Sequence, residues 1–285
     1  MKPQVVIGTM QWKNNTKCLS VEEATDLIKN CYNENLLKFD LADMYGNYTT
    51  EDLFGQALSK SGIKRSNLKL STKCGILSPG TKYKVKAYDT SKIHIINSVN
   101  NSLKNLKTDY LDVLFIHRQD LLINFEELES TLTELKLSGK VKNFGVCNFS
   151  TYAFEALNNK IPLLTNQINF SLTQYKALFN DTLFQLGNLN KKTQIYSPLG
   201  NYFDKNSNDT RENLKNIINS LSEKYNADID QILLAWTLKV PYKITPILGS
   251  TNFQRIKEQI NAFNLTLSTE DWYLLLEASR GVELE

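Results

Sequence analysis

Four side chains in the first half of the sequence combine residue types that support acid–base chemistry. Asp40 and Tyr45 stand five positions apart, and Lys73 and His117 each follow directly after a short apolar run. A lysine ammonium favours the phenolate form of a nearby tyrosine and lowers its pKa from about 10, which makes Tyr45 a usable proton donor. Asp40 could keep Lys73 charged and fixed in place. A neutral His117 could orient a carbonyl oxygen towards Tyr45.

Each of these residues also has a structural interpretation. Taken singly, Asp40 and Lys73 could form a structural ion pair, Tyr45 could be a loop aromatic, and His117 could be a satisfied residue at the rim. All four stand at the ends of successive apolar runs, and this combination favours a catalytic site. The second histidine, His94, lies among isoleucines in a predicted helix and is expected to be structural.

The elements that must position these residues alternate between short apolar runs and longer segments of helical periodicity. Eight runs with strand character cover residues 5–10, 37–41, 68–72, 111–116, 143–147, 163–169, 193–197 and 244–248. Parallel strands joined by helices bring their carboxyl ends to one rim, and eight of them close naturally into a barrel. The sequence therefore predicts the α/β class and a (β/α)8 TIM barrel.

The predicted helices outnumber the strands, which indicates extra helices at the periphery. Ser20 and Glu23 form a capping-box signature, and Gly139 ends the helix that begins near Asn124. The other helices are predicted at residues 50–59, 91–106, 151–158, 174–188, 211–226, 229–238, 252–263 and 268–279. Residues 77–90 are predicted to be irregular and to lie over the carboxyl face of the barrel. With no linker or repeat, residues 1–285 are predicted to form a single domain.

Composition excludes several classes of partner. The net charge of +3 comes from well-mixed charges without a basic block, so we expect no nucleic-acid partner. No apolar run approaches the roughly 20 residues that a membrane span requires. The four cysteines lie far apart without a CxxC motif, which predicts reduced thiols and no metal site. We expect a cytoplasmic monomer that acts on a small molecule.

Residues 39–46 resemble the FDTAxxYG segment of the aldo-keto reductase family. Further matches follow in family order: residues 71–73 resemble its (S/T)K strand end, 109–118 its DYxDLxxxHR segment, 145–149 its GVSNF segment, 166–167 its NQ pair and 196–200 its YSPLG segment. An ordered set of this kind is far more specific than any single motif. The matches extend from Val6 to about Gln259, nearly the whole chain.

The resemblance implies an NADPH-dependent enzyme that reduces an aldehyde or ketone to the alcohol by hydride transfer. The implied catalytic residues are Tyr45 as general acid, Asp40 and Lys73 as its tuners, and His117 as the substrate orienter. The implied cofactor-binding residues are Gly8, Thr9, Cys147, Asn148, Gln167, Tyr196, Ser197, Leu199, Gly200, Ser250, Arg255, Glu258 and Gln259. The candidate substrate-lining residues are Met10, Trp12, Tyr83 and Phe203.

Two departures from the family pattern affect the cofactor site. Cys147 replaces the usual serine, so a weaker thiol hydrogen bond takes the place of a strong hydroxyl hydrogen bond. Gly249 stands where many members have a phosphate-binding lysine, so a preference for NADPH depends largely on Arg255. Gly75 stands where many members carry a bulky aromatic, which implies an open pocket.

Two other functions fit parts of the same pattern. The chain could be a nicotinamide-sensing regulatory subunit without significant turnover, although the intact set of four residues favours an enzyme. It could also be a barrel aldolase in which Lys73 forms a Schiff base. The spacing of Asp40 and Tyr45 and the segment from Ser250 to Arg255 favour the reductase.

Overall fold

The computed structural model describes residues 4–14, 18–80, 83–204 and 212–284. Within these ranges, eight parallel strands form the closed barrel that the sequence predicts. The barrel strands are β1 (Val6–Gly8), β2 (Lys38–Asp40), β3 (Lys69–Cys74), β6 (Val113–Ile116), β7 (Phe144–Cys147), β8 (Leu163–Asn169), β9 (Thr193–Tyr196) and β10 (Ile244–Leu248). Each overlaps a predicted run, so the (β/α)8 barrel is confirmed.

Ten α-helices are present in the described residues. They are α1 (Val21–Asn33), α2 (Thr50–Ser61), α3 (Lys92–Leu106), α4 (Phe125–Leu137), α5 (Thr151–Lys160), α6 (Thr182–Asn188), α7 (Glu212–Tyr225), α8 (Ile229–Leu238), α9 (Phe253–Ile260) and α10 (Thr269–Arg280). The capping box of Ser20 and Glu23 is confirmed, and Asn124 is the N-cap of α4. Arg211, predicted to begin a helix, lies outside the described residues. No helix in the described ranges is long and apolar enough to cross a membrane.

Three predictions of local structure were wrong. The helix predicted at 174–188 is a 3-10 turn, Lys176–Leu178, followed by the short α6, because Asp181 adopts a left-handed φ of 63° and interrupts the helical path. The helix predicted at 252–263 ends at Ile260 and continues as the 3-10 segment Asn261–Asn264. The stretch 77–90 is not wholly irregular, since β4 (Ile76–Leu77) pairs antiparallel with β5 (Ala87–Tyr88).

The chain divides into two compact units. The amino-terminal unit comprises Val5–Gln167 with Gly249–Phe253, and the carboxyl-terminal unit comprises Met1–Gln4, Ile168–Leu248 and Gln254–Glu285. The organisation of residues 1–285 as a single domain stays a prediction.

An aromatic cluster packs the core of the amino-terminal unit between α2 and β2. The Trp12 ring lies 5.7 Å from the Phe54 ring and 6.5 Å from the Phe39 ring, and all three side chains are fully buried. The adjacent helices approach closely, because a Cβ on Gly55 of α2 would lie 2.1 Å from the carbonyl oxygen of Asn105 on α3. Only glycine fits that contact.

Two tryptophans join α8 to α10 in the carboxyl-terminal unit. The indole of Trp236 donates to the carbonyl of Trp272 at 3.1 Å, and the indole of Trp272 donates to the carbonyl of Trp236 at 2.9 Å. Their rings stack 5.0 Å apart, and the Phe170 ring packs 5.4 Å from Trp236. The reciprocal bonds satisfy both indole donors while the rings bury apolar area.

Candidate active site

Strands β2 and β3 bring Asp40 and Lys73 to the same end of the amino-terminal unit. Asp40 pairs in register with Ser71 of β3, and the Ser71 hydroxyl donates to Asp40 Oδ1 at 3.1 Å. Because side chains alternate along a strand, Lys73 points to the same face as Ser71, two residues further on. Strand register therefore places the lysine beside the aspartate.

The Lys73 ammonium uses three hydrogen bonds within the site. It donates to Asp40 Oδ2 at 2.5 Å, to the Leu41 carbonyl oxygen at 2.7 Å and to the Tyr45 hydroxyl oxygen at 3.1 Å. An ammonium has three donors, so all of them are satisfied. The Lys73 side chain is only 1% exposed. The arrangement fixes the Tyr45 oxygen next to a buried positive charge.

Burial and the neighbouring charges act in opposite directions on the pKa of Lys73 and on the pKa of Tyr45. Burial acts against the charged form of Lys73, but Asp40 and Tyr45 outweigh it and raise the pKa of the ammonium. Burial also raises the pKa of Tyr45, and the attraction of Lys73 for the phenolate offsets only part of this effect. Lys73 acts on the tyrosine in the expected direction, but burial has the larger effect, and the pKa of Tyr45 is therefore raised overall. Tyr45 is a protonated phenol at neutral pH.

His117 follows β6 and lies beside the tyrosine. Its backbone N–H donates to the Cys74 carbonyl oxygen at 2.8 Å, and its ring centroid lies 6.0 Å from that of Tyr45. Burial, followed by the nearby positive charges, holds the pKa of His117 well below its usual value, so the imidazole is neutral. Among the described residues, its buried Nδ1 has no hydrogen-bond partner. The ring can offer one donor and one acceptor to a small molecule.

Amide groups adjoin the four residues at the ends of β7 and β8. Gln167 Nε2 donates to Asp40 Oδ1 at 3.1 Å, and its Oε1 accepts a long bond of 3.7 Å from the Cys147 thiol. The Asn148 N–H donates to the Gln167 carbonyl oxygen at 3.0 Å, with Asn148 in the left-handed region at φ 51°. Burial raises the pKa of Cys147 to about 12, so it stays a thiol. Gln167 and Cys147 therefore share one polar surface with Asp40.

The end of β1 supports Asp40 from the other side. Gly8 pairs in register with Asp40. The N–H and the hydroxyl of Thr9 both donate to the Asp40 carbonyl oxygen, at 3.1 Å and 3.0 Å. Thr9 is fully buried. Ser250, also in this unit, is partly exposed, and its hydroxyl accepts from the Asn252 N–H at 3.1 Å.

The candidate residues after β9 form a tight turn in the carboxyl-terminal unit. Ser197 has φ 50° and Gly200 has φ 62°, and the Gly200 N–H donates to the Ser197 carbonyl oxygen at 2.8 Å. A Cβ on Gly200 would lie 1.9 Å from the Thr173 hydroxyl oxygen, so this position requires glycine. Tyr196 precedes the turn and is half-buried, and Leu199 lies within the turn.

Helix α9 carries the other candidate nucleotide-binding residues of this unit. The Arg255 guanidinium lies 5.5 Å from the Phe203 ring centroid, and its Nε is 3.5 Å from Asp230 Oδ2. Gln259 is buried and donates to the same Asp230 oxygen at 3.1 Å. Glu258 is half-buried on this helix. Arg255 keeps 48% of its side chain exposed and remains accessible to an anion.

The proposed substrate-lining residues differ in their surroundings. Met10 is half exposed and Tyr83 is partly buried, so both are accessible. Trp12 is fully enclosed in the aromatic cluster with Phe39 and Phe54, which indicates packing. No observation tests contact of these residues with a substrate, and their assignment stays a prediction.

Sequence reasoning missed the interaction of two acids near the lysine, the buried Glu51 and the partly buried Asp43. Glu51 on α2 is 2% exposed and accepts from the Thr72 hydroxyl at 2.6 Å. Burial, and then repulsion by Glu51, raise the pKa of Asp43 to about 7. Burial also raises the pKa of Glu51. An acid in the first turn of a helix is normally read as an exposed capping group, so only the fold reveals this pair.

Comparisons with known proteins agree with this geometry. An uncharacterized oxidoreductase of Bacillus subtilis, YcsN, is 36% identical over 280 residues, which cover 96% of this chain and 93% of that protein. A 6-dehydroglucose reductase of Agrobacterium fabrum is 35% identical and covers 90% of this chain and 88% of its own length.

A solved structure shares the fold. It is an aldo/keto reductase from Klebsiella pneumoniae in complex with NADP and acetate, with a TM-score of 0.77, 22% identity, and coverage of 96% of this chain and 90% of that chain. The model of the aldo/keto reductase family matches residues 4–280. The chain therefore belongs to the aldo/keto reductase family.

Proposed function

We propose that this protein reduces an aldehyde or ketone to the alcohol with NADPH, and that Tyr45 is the general acid. One observation carries the proposal: the buried Lys73 ammonium, bound to Asp40, donates a hydrogen bond of 3.1 Å to the Tyr45 hydroxyl oxygen. A tyrosine held next to a buried, permanently charged lysine is suited to release its proton on demand.

Tyr45 transfers its proton as negative charge develops on the carbonyl oxygen. Because the hydroxyl oxygen already accepts from Lys73, the phenolic hydrogen can point away from the lysine, towards a substrate oxygen. The phenolate left behind is stabilised by the ammonium at the same 3.1 Å. Asp40 holds that ammonium in place, so little reorganisation accompanies the transfer.

His117 orients the carbonyl. Its imidazole is neutral and buried, and one of its ring nitrogens carries a hydrogen that can be donated to the substrate oxygen. A neutral donor polarises the carbonyl without competing with Tyr45 for the proton-transfer role. The ring centroids lie 6.0 Å apart, so both side chains can contact the same substrate oxygen.

The polar surface beside the four residues suits a nicotinamide carboxamide. Gln167 offers its amide next to Asp40, Cys147 adds a weak thiol donor, and Asn148 follows β7, bound through its backbone N–H to the Gln167 carbonyl oxygen. NADPH would supply the hydride when bound. The NADP in the Klebsiella pneumoniae relative supports this choice of cofactor. The turn from Tyr196 to Gly200 is proposed to contact the pyrophosphate.

The preference for NADPH over NADH is proposed to depend on Arg255. Gly249 offers no side chain, and a Cβ there would meet nothing within 4 Å. The Arg255 guanidinium is partly exposed at the first turn of α9, where the helix dipole also favours an anion. Asp230 Oδ2 already lies 3.5 Å from Arg255 Nε, so a bound 2′-phosphate must displace or share that ion pair.

The properties of Lys73 disfavour the aldolase alternative. A Schiff-base lysine must lose its proton to become a nucleophile, which requires a lowered pKa. Lys73 has a raised pKa and three satisfied donors. The complete set of four residues likewise favours turnover over a purely sensing role.

The first experiment combines nucleotide binding with turnover. NADPH and NADH are titrated by fluorescence, and simple aldehydes and diketones are then added while the absorbance of the reduced nicotinamide is followed. Binding with carbonyl-dependent oxidation would support the proposed reductase. Tight binding without turnover over a broad panel would favour a sensing role, and failure to bind either nucleotide would overturn both.

A further inference from the structure

Glu51 is an acid in the first turn of α2 that the fold buries almost completely. It is 2% exposed, and taking a carboxyl group out of water costs free energy unless its oxygens are hydrogen-bonded. Its Oε1 accepts from the hydroxyl of Thr72 on β3 at 2.6 Å, a length in the range of charge-assisted bonds between oxygens. Thr72 is fully buried as well. The carboxyl group therefore forms a short, dry link between helix α2 and strand β3.

This link holds the catalytic strand one residue before the lysine. Side chains alternate along a strand, so Thr72 points outwards to α2 while the next residue, Lys73, points into the site. On that inner side the Lys73 ammonium donates to Asp40 and to the Tyr45 hydroxyl oxygen. Glu51 thus fixes β3 from the outside at the point where its inner side supports the tyrosine.

The same helix turn also holds the loop that carries the tyrosine. The Tyr45 carbonyl oxygen accepts from the Thr49 N–H at 3.3 Å and from the Thr50 N–H at 3.2 Å. Thr49 is the N-cap of α2, Thr50 is its first residue, and Glu51 comes next. Three consecutive residues therefore bind the backbone of Tyr45 on one side and the strand of Lys73 on the other.

Helix α2 is itself fixed by packing on both sides. The Phe54 ring lies 5.2 Å from the ring of Phe39, the residue before Asp40 on β2. Gly55 lets the helix approach the backbone of α3, since a Cβ there would lie 2.1 Å from the Asn105 carbonyl oxygen. A support held by packing and by hydrogen bonds positions catalytic groups more accurately than a free loop does.

We propose that Glu51 is a positioning residue for the reaction: through its bond to Thr72 it sets the 3.1 Å contact between Lys73 and Tyr45. It acts through strand β3 and not by contact with the substrate. A misplacement of about 1 Å in a catalytic site can cost on the order of 100-fold in rate. The Asp43 N–H also ties the loop to Lys73, so we expect a smaller loss, of about tenfold, without the Glu51 link. This inference rests on the proposed reductase function and deepens it.

The first test changes the hydroxyl that Glu51 binds. Thr72→Val removes the hydroxyl and keeps the shape, whereas Thr72→Ser keeps the hydroxyl. Thr131→Val is the matched control, because Thr131 is fully buried and donates to the Glu127 carbonyl oxygen at 2.7 Å within α4. The rate of NADPH oxidation in a single turnover with a simple aldehyde should fall about tenfold in Thr72→Val and stay close to the wild type in the other two.

A solvent isotope effect separates positioning from a general loss of folded protein. The ratio of the single-turnover rates in H2O and D2O should increase in Thr72→Val, because proton transfer from a misplaced Tyr45 becomes slower relative to hydride transfer. A smaller fraction of folded enzyme would leave that ratio unchanged. A rate for Thr72→Val equal to that for Thr131→Val, or an equal loss in Thr72→Ser, would overturn the proposal.

Glu51→Gln tests the other partner of the bond. The amide keeps the shape, but a neutral acceptor makes a weaker hydrogen bond, so the single-turnover rate should fall about threefold. In the Thr72→Val background the same change should cost nothing further, since the link is already lost. The same loss in both backgrounds, or no loss in either, would contradict a role that passes through Thr72.

A structural measurement separates this inference from the proposed function. If the wild type reduces no carbonyl compound, the proposed function fails, and positioning is then tested on geometry alone. Crystal structures of the wild type, Thr72→Val, Thr72→Ser and Glu51→Gln give the distance from Lys73 Nζ to the Tyr45 hydroxyl oxygen. A longer distance in Thr72→Val and Glu51→Gln than in Thr72→Ser would support the positioning role. The same distance in all four proteins would overturn it.

Discussion

The backbone N–H of Asp43 donates a hydrogen bond of 3.0 Å to the carbonyl oxygen of Lys73. This bond ties the loop that carries Tyr45 to the strand that carries the lysine. Gly46 ends the loop with φ 57°, where a Cβ would lie 2.5 Å from the Thr50 hydroxyl oxygen. The 3.1 Å contact between Lys73 and Tyr45 is therefore set by backbone geometry as well as by charge.

Tyr45→Phe is expected to lower kcat by at least about 100-fold, because it removes the proposed proton donor and little volume. Nucleotide affinity should stay unchanged, since the hydroxyl is assigned to the substrate oxygen. Single-turnover kinetics and a fluorescence titration of NADPH measure the two effects separately. Turnover retained at the wild-type rate would show that another group supplies the proton.

Asp40→Asn is expected to lower the free energy of unfolding by about 3–5 kcal/mol, because it leaves the Lys73 ammonium buried without its counter-charge. Urea unfolding near neutral pH measures the loss. Asp26→Asn provides a matched control at an exposed position of α1 and should change stability by less than about 0.5 kcal/mol. Equal stability of the two variants would mean that the buried ion pair is dispensable for folding.

Asp43→Asn is expected to change how stability depends on pH. Burial, followed by repulsion from Glu51, raises the pKa of Asp43 from its ordinary value of 3.8 to about 7 in the folded protein. Between these values the folded state holds a proton that the unfolded state has lost, so rising pH lowers the stability across this window. Below it the contribution is fully present, and above about pH 7 it is lost.

The amide cannot ionise, so the variant should gain stability relative to the wild type as pH rises. The gain expected between about pH 4 and pH 8 is on the order of 4 kcal/mol. Urea unfolding at several pH values measures both proteins. Parallel stability curves for the two would contradict a raised pKa of Asp43.

Arg255→Gln is expected to lower the ratio of NADPH to NADH affinity by about tenfold or more, because it removes the proposed charged partner of the 2′-phosphate. Competition titrations with both nucleotides give the ratio. Lys257→Gln removes a charge from the exposed side of the same helix and is the matched control. If both variants shift the ratio equally, general charge on α9 and not Arg255 determines the preference.

Trp12→Ala is expected to lower the free energy of unfolding by about 3–5 kcal/mol, because it leaves a cavity against Phe39 and Phe54. Trp12→Phe should recover part of this loss by refilling the space. Chemical denaturation and the KM for a simple aldehyde are measured on the same samples. A large change in KM with unchanged stability would instead assign Trp12 to substrate binding.

The sequence predicted the barrel and the four residues at its rim because both depend on local order. Eight apolar runs alternate with helical segments, and Asp40, Lys73 and His117 stand where those runs end. The ends of parallel strands converge whatever the details of packing. The prediction of one helix at 174–188 was wrong. Asp181 adopts a left-handed conformation there, and the periodicity of the neighbouring residues does not reveal it.

The sequence by itself thus determined the fold class, the family resemblance and the set of candidate catalytic side chains. Only the tertiary structure decided their electrostatic states and their partners. The upward shift in the pKa of Tyr45, the repulsion between Asp43 and Glu51, and the cations that act on His117 all arise from burial and from the approach of distant segments. Desolvation depends on what surrounds a group in space, and residue spacing along a chain does not encode it.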